Sequence, residues 1–188
     1  MLLMKRLFFL FIIGICCRVS AEYTYTIKVR SHLFSTQYDL YADEQLIAKV
    51  DQSALETYSL FDSYGREQAI GKVHLVSIGT VFKSLKTIDV SDSKGNLIGW
   101  IKGDWRTLKD GKFLFYDSQS DRIATAYVDQ KRKKVSIVDP SNKENLFVLF
   151  RFASIAKKSR WEIDVIQEEA IPPEMLYIFS AFITHVYK

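Results

Sequence analysis

The segment that most limits what this chain can fold into lies at its end. From Met175 to Ile183 (MLYIFSAFI) eight of nine residues are apolar, Ser180 being the exception. A helix resting on a protein surface shows polar residues every three or four positions, whereas one that is apolar all round has to be enclosed all round. Pro172-Pro173 suits a helix start, which predicts a helix over Glu174–Val186. At about 1.5 Å per residue such a helix is roughly 20 Å long. A bilayer span takes about 20 apolar residues, so the stretch is too short to cross one. Two other placements stay open from the residues alone: a short tail anchor, or a helix packed on one face of a sandwich.

What precedes it is a series of short β-type runs with turn residues on both sides. The runs are Tyr23–Arg30, Tyr38–Ala42, Gln45–Val50, Thr57–Asp62, Glu67–Ser77, Lys86–Ser91, Leu97–Lys102, Lys112–Asp117, Arg122–Asp129, Lys134–Asp139, Leu146–Phe152 and Trp161–Ile166. Ile78–Leu85 is ambiguous and compatible with a short helix. Twelve strands in a meander predict a sandwich or barrel. A closed barrel of that size leaves a lumen too wide for wall side chains to fill. Strands of six residues at about 3.3 Å each match the length of the helix. The expected fold is therefore mainly β, a closed antiparallel barrel of about twelve strands around the buried C-terminal helix.

The other apolar segment is at the beginning. Lys5 and Arg6 precede Leu7–Cys17, an unbroken run of 11 apolar or glycine residues, and Val19-Ser20-Ala21 then supplies small residues. That order predicts a signal peptide over residues 1–21, with a single domain over residues 22–188. Lipidation at Cys16 or Cys17 and retention as an uncleaved anchor are the other readings of this segment. Removing 21 of the 188 residues leaves 167 and takes away both cysteines. Lys plus Arg falls from 26 to 23 against 22 acidic residues, so the net charge drops from +4 to +1. A nucleic-acid-binding chain keeps a large positive excess, and this one does not.

Three stretches carry ordered motifs. Thr87–Gly103 (TIDVSDSKGNLIGWIKG) holds D-x-x-G-x-x-I-G, Lys112–Asp129 (KFLFYDSQSDRIATAYVD) holds FYD and I-A-x-A, and Ser136–Phe152 (SIVDPSNKENLFVLFRF) holds DP. With Trp161–Ile166 and the terminal helix, their order resembles the tubby C-terminal-like superfamily, in its phospholipid-scramblase-like and LURP-one-related branch. The resemblance covers Thr87–Lys188 well and Tyr23–Leu85 poorly. It implies a twelve-stranded barrel around a central C-terminal helix, in agreement with the length argument. Tubby domains bind phosphoinositides through basic residues on the barrel surface, scramblases are linked to calcium and lipid movement, and the plant branch to defence. Two departures matter. Where scramblase-type proteins have an acidic, calcium-linked segment before the helix, this chain has Glu168-Glu169 followed by Ala170-Ile171, a poor calcium site. Family members also act mostly in the cytosol, whereas the leader predicts export to the periplasm, the cell surface or the medium.

Catalytic chemistry is sparse. The sequence has no Gly-x-Ser-x-Gly elbow and no phosphate-loop glycine pattern. His32, His74 and His185 are not at metal-ligand spacing. Asp89, Asp92, Asp117, Asp121, Asp129 and Asp139 recur at strand ends, where turn chemistry explains them. The expectation is no catalytic residue, no metal and no cofactor. The strongest charge feature is Lys131-Arg132-Lys133-Lys134, with Arg122, Lys143, Arg151, Lys157, Lys158 and Arg160 nearby in sequence. Such clusters hold anionic lipid head groups, which makes Lys131, Arg132, Lys133 and Lys134 the lipid-binding candidates. The expected protein is an exported, monomeric, non-enzymatic barrel that binds an anionic lipid or membrane surface and no nucleic acid. The alternative is a protein-interaction or structural module of the envelope or a host-facing surface, with a protein partner and no lipid ligand.

Overall fold

Alternation of inward and outward residues along short strands, punctuated by tight turns, builds one continuous sheet. In a computed structural model the described residues are 21–75, 86–104, 111–155 and 158–186. The leader expected over residues 1–21 therefore lies, save for Ala21, outside the described residues, as does the ambiguous Ile78–Leu85. The strands are β1 (Tyr23–Ser31), β2 (Ser35–Ala42), β3 (Gln45–Ser53), β4 (Thr57–Asp62), β5 (Glu67–Leu75), β6 (Lys86–Asp92), β7 (Leu97–Asp104), β8 (Lys112–Asp117), β9 (Arg122–Asp129), β10 (Lys134–Val138), β11 (Leu146–Ile155) and β12 (Lys158–Val165). Each pairs antiparallel with its neighbours in sequence, and β1 also pairs with β12 through Tyr23↔Val165 to Ile27↔Trp161. The sheet is thus a closed twelve-stranded up-and-down barrel with no free edge.

Among the described residues one α-helix, α1 (Pro173–Val186), follows a 3-10 turn at Glu168–Ala170. Its neighbours come from around the whole ring. The Phe179 ring meets Phe113 and Phe115 of β8 and Phe150 of β11, Phe182 meets Tyr58 of β4, and Tyr25 of β1 meets Tyr177 edge-on. Strands on opposite sides of a closed barrel can touch one helix only if it runs through the middle. Met175, Leu176, Ile178, Phe179, Ala181, Phe182 and Ile183 are all buried, as the absence of a polar face requires.

The helix is off-centre, and the wall residues show why. It packs most closely on β3, β4, β5 and β7. Small inward residues line much of that side: Ala48, Ala69, Gly71 and Gly99. A Cβ on Gly71 would fall 2.6 Å from the Ile178 side chain, and one on Gly99 would fall 2.2 Å from the Tyr116 carbonyl and 3.0 Å from Met175 sulfur. The last glycine of the D-x-x-G-x-x-I-G motif is therefore a close-approach position for the helix. On the other side Phe113, Phe115 and Phe150 span the wider gap.

The two buried hydroxyls of the helix are satisfied inside. Ser180 Oγ donates to Leu176 O at 2.7 Å, and Thr184 Oγ1 donates to Ser180 O at 2.7 Å. Ser180 has a single hydroxyl proton, so Tyr25 OH is the donor in its 2.8 Å bond with Ser180 Oγ. Among the described residues no helix is long and apolar enough to cross a membrane.

Candidate functional site

Because the strands alternate in direction, their connections alternate between two ends. At the proximal end, where the chain enters β1 and leaves β12 for the helix, the turns are tight and carboxylate-anchored. Asp62 Oδ1 accepts from the backbone N–H of Tyr64 and Arg66, Asp92 Oδ1 from Lys94 and Asn96, and Asp117 Oδ1 from Gln119 and Asp121, all within 2.8–2.9 Å. Asp139 Oδ1 accepts in the same way from Ser141 and Asn142. The donors hold the Asp62, Asp92 and Asp139 carboxyls below the ordinary carboxylate range; the Arg66 N–H leads for Asp62, the Asn96 side chain for Asp92 and the Ser141 N–H for Asp139. The fourth residue of three turns has positive φ: Gly65 at 82°, Gly95 at 88° and Ser120 at 75°. Each such turn is followed by a register shift, as a bulged hairpin requires.

Of the strand-end aspartates, Asp92, Asp117, Asp129 and Asp139 are thus turn anchors, while Asp121 gives only its backbone N–H to Asp117. Asp89 sits mid-strand in β6 and pairs across the outer wall with His74, Nε2 to Oδ2 at 2.9 Å. Both groups are about half exposed.

The distal end is built differently. Its described turns are 32–34, 54–56 and 130–133, and the four candidate cations lie there. Lys131, Arg132 and Lys133 occupy the β9–β10 turn, and Lys134 opens β10. Arg132 N donates to Asp129 Oδ1 at 3.0 Å while its guanidinium lies 3.7 Å from Oδ2. Lys133 has φ 48° and sets its ammonium 4.2 Å from the Phe152 ring centroid. No carboxylate among the described residues comes within ion-pair distance of Lys131 or Lys134.

The folding splits the wider basic cluster suggested by sequence proximity. Arg122 and Lys143 are at the proximal end, where the Arg122 guanidinium donates to Pro140 O at 2.9 Å. Arg151 stays beside Lys134 by strand pairing, but its charge is met by Asp164 at 2.5 Å. Arg160 lies in β12 and pairs with Glu162 at 3.0 Å. Lys157 lies outside the described residues.

Three apolar side chains share the distal end with the basic turn. Leu33, Phe34 and Leu55 are 88%, 81% and 87% exposed. Ser35 and Ser53 are paired, which puts the 32–34 and 54–56 tips side by side. The sequence reading passed over these residues; the only hint was an apolar pair, Leu33-Phe34, in a segment too short for a strand.

Two cavities lined by described residues are proximal. One of about 200 Å³ lies beside the helix start, over Ile47, Leu60, Phe61 and Tyr177 with Arg66 and Glu174 at its margin. The other, about 630 Å³, is polar and bounded by Glu22, Asp139, Gln167, Glu168 and Glu169. Glu22 Oε2 already accepts the Glu168 N–H at 2.9 Å. Among the described residues no three His, Cys, Asp or Glu side chains converge to hold a metal ion.

These features define a closed β-barrel threaded by its own C-terminal helix, with unlike ends. No family model matches the chain, and no curated protein matches it in sequence. Among solved structures it is similar to the X-ray structure of a protein from Arabidopsis thaliana, at a TM-score of 0.56 and 9% identity, covering 88% of this chain and 94% of that one. At that identity the likeness concerns the fold alone.

Proposed function

We propose that the chain is an exported, non-enzymatic barrel of the tubby-like kind that binds anionic membrane surfaces through Lys131, Arg132, Lys133 and Lys134. The observation that carries this reading is four consecutive cations at one exposed turn, of which Arg132 alone lies within ion-pair distance of a carboxylate among the described residues. Each basic residue near an anionic surface contributes about 1 kcal/mol. With Arg132 partly neutralised by Asp129, the turn supplies roughly 3 kcal/mol, a factor on the order of a hundred in partitioning. The family resemblance of residues 87–188 supports the tubby-like assignment, and the leader pattern supports export.

Flotation with phosphatidylcholine vesicles, with and without phosphatidylglycerol, tests it. Binding is expected only with the anionic lipid and falls as salt rises, because exposed charges are screened. Reversal of all four charges (K131E, R132E, K133E, K134E) abolishes it. Equal absence of flotation with both vesicles, or no effect of the reversal, overturns the reading; selective retention of one protein partner in place of lipid would favour an interaction module.

A further inference from the structure

Resting on that reading, we infer that the barrel docks on an anionic bilayer end-on, with Leu33, Phe34 and Leu55 inserted between head groups and the basic turn meeting the same surface across the rim. On the outer wall Trp100, Leu114 and Leu149 face outward singly, and charged residues break them up. The wall's outward positions include Lys28, Lys49, Lys72, Lys102 and Glu162, the reverse of the apolar outer band of a membrane-spanning barrel.

At the proximal end the turns and helix lead-in, residues 43–44, 62–67, 92–96, 117–122, 139–145 and 166–174, hold twelve acidic and four basic residues. An anionic surface repels that end. At the distal end the described turns with their flanking residues, 32–34, 54–56 and 129–134, hold four basic residues and two acidic ones, Glu56 and Asp129. Glu56 is itself paired with Lys86, and Asp129 with Arg132. The barrel is thus polarised along its axis, and charge complementarity selects the distal end.

The apolar tips share that end. Two strands, β12 and β11, separate β1 from β10 around the ring. The 32–34 tip, between β1 and β2, is therefore four strand steps from the turn between β9 and β10, and the 54–56 tip, between β3 and β4, is six, half the ring; at about 4.8 Å per step these are arcs of roughly 19 and 29 Å along one rim, which a flat surface laid across that end meets together. The tips are pinned by short backbone bonds: His32 N–H donates to Ser35 O at 2.9 Å and Glu56 N–H to Ser53 O at 3.1 Å. Pinning keeps the side chains projecting without an ordering cost on binding. Exposed aliphatic and aromatic side chains beside lysines are the combination by which peripheral elements enter the interface, apolar burial adding to electrostatic attraction.

The test uses the full chain and the same two vesicle types. The triple variant Leu33→Ser, Phe34→Ser, Leu55→Ser keeps all four cations and should bind anionic vesicles at least tenfold more weakly. Tyr64→Ser removes an equally exposed ring from the proximal end and should bind like the parent. In Phe34→Trp, the added indole emission should shift to the blue and be quenched by brominated acyl chains, over the unchanged background of the parent's tryptophans. If the parent protein floats with neither vesicle, the binding reading fails and this inference with it. If the parent binds, the charge reversal weakens it, and yet neither the affinity of the triple serine variant nor the added emission of Phe34→Trp changes, end-on insertion alone is refuted. A loss on Tyr64→Ser equal to that of the triple variant refutes it as well.

Discussion

Replacing Phe179 by alanine is the most direct test of where the helix lies. Phe179 is fully buried, and its ring centroid is 5.3 Å from that of Phe113, 4.9 Å from Phe115, 6.1 Å from Phe150 and 6.4 Å from Phe182. Burying a phenylalanine side chain contributes about 1.5–3 kcal/mol. Edge-on aromatic pairs add about 0.5–1.5 kcal/mol each, though contacts sharing one ring are not additive. The hole left behind is bounded by β8 on one side and β11 on another, both held in a closed sheet that cannot collapse freely. Phe179→Ala should therefore fall in the usual range for such truncations, about 3–5 kcal/mol. For a domain of this size each kcal/mol lowers Tm by about 2–4 °C, so melting should drop by roughly 6–20 °C. Urea denaturation followed by circular dichroism gives the free energy, and the slope with denaturant shows whether both proteins unfold from equally compact states. Leu33→Ala, at an exposed tip, should change stability by no more than about 0.5 kcal/mol. A loss below about 1 kcal/mol for Phe179→Ala would refute the enclosed helix, since only a side chain with one face in water could be removed at so small a cost.

Two further outcomes follow from the proximal turns. Ser120 occupies the left-handed position that glycine holds in the sister turns at Gly65 and Gly95. Ser120→Gly should raise Tm by an amount equivalent to about 1 kcal/mol, and a fall in Tm would contradict the assignment of strain to that residue. The depressed carboxyls of Asp62, Asp92 and Asp139 set a pH dependence. A carboxyl whose folded pKa lies below its unfolded value, about 3.9, stabilises fully above that value and loses its contribution as pH falls through the folded pKa. Asp51, pushed up mainly by burial, acts in the opposite sense. Thermal melts should be flat from neutral pH to about 5 and fall below about 4, and the triple Asp→Asn variant at 62, 92 and 139 should show a shallower acid limb. An unchanged acid limb would place the sensitivity elsewhere.

Much of the fold was legible because its rules are local. Period-two alternation marked the twelve runs, and each became a strand. The ends shifted where residues at the rim are polar: β2 begins at Ser35 rather than Tyr38 because Ser35, Thr36 and Gln37 complete the ladders to β1 and β3. The lipid-binding candidates were legible only as a charge run. Whether neighbours in sequence are neighbours in space depends on the direction of each strand, which separated Arg122 and Lys143 from the turn at Lys131–Lys134.

Two features were written in the sequence without need of coordinates: the apolar helix and the number of strands around it. An element with no polar face must be enclosed, and a wide closed sheet must be filled, so each demands the other. Tertiary structure alone decided the rest. Closure through β1 and β12 joined residues far apart in the chain, and the even count of antiparallel strands sorted every turn to one of two ends. That sorting put the anchored acidic turns at the helix start and Leu33, Phe34, Leu55 and the four cations at the other end. No linear pattern encodes it, because the end to which a turn belongs is a property of the closed ring and not of the turn.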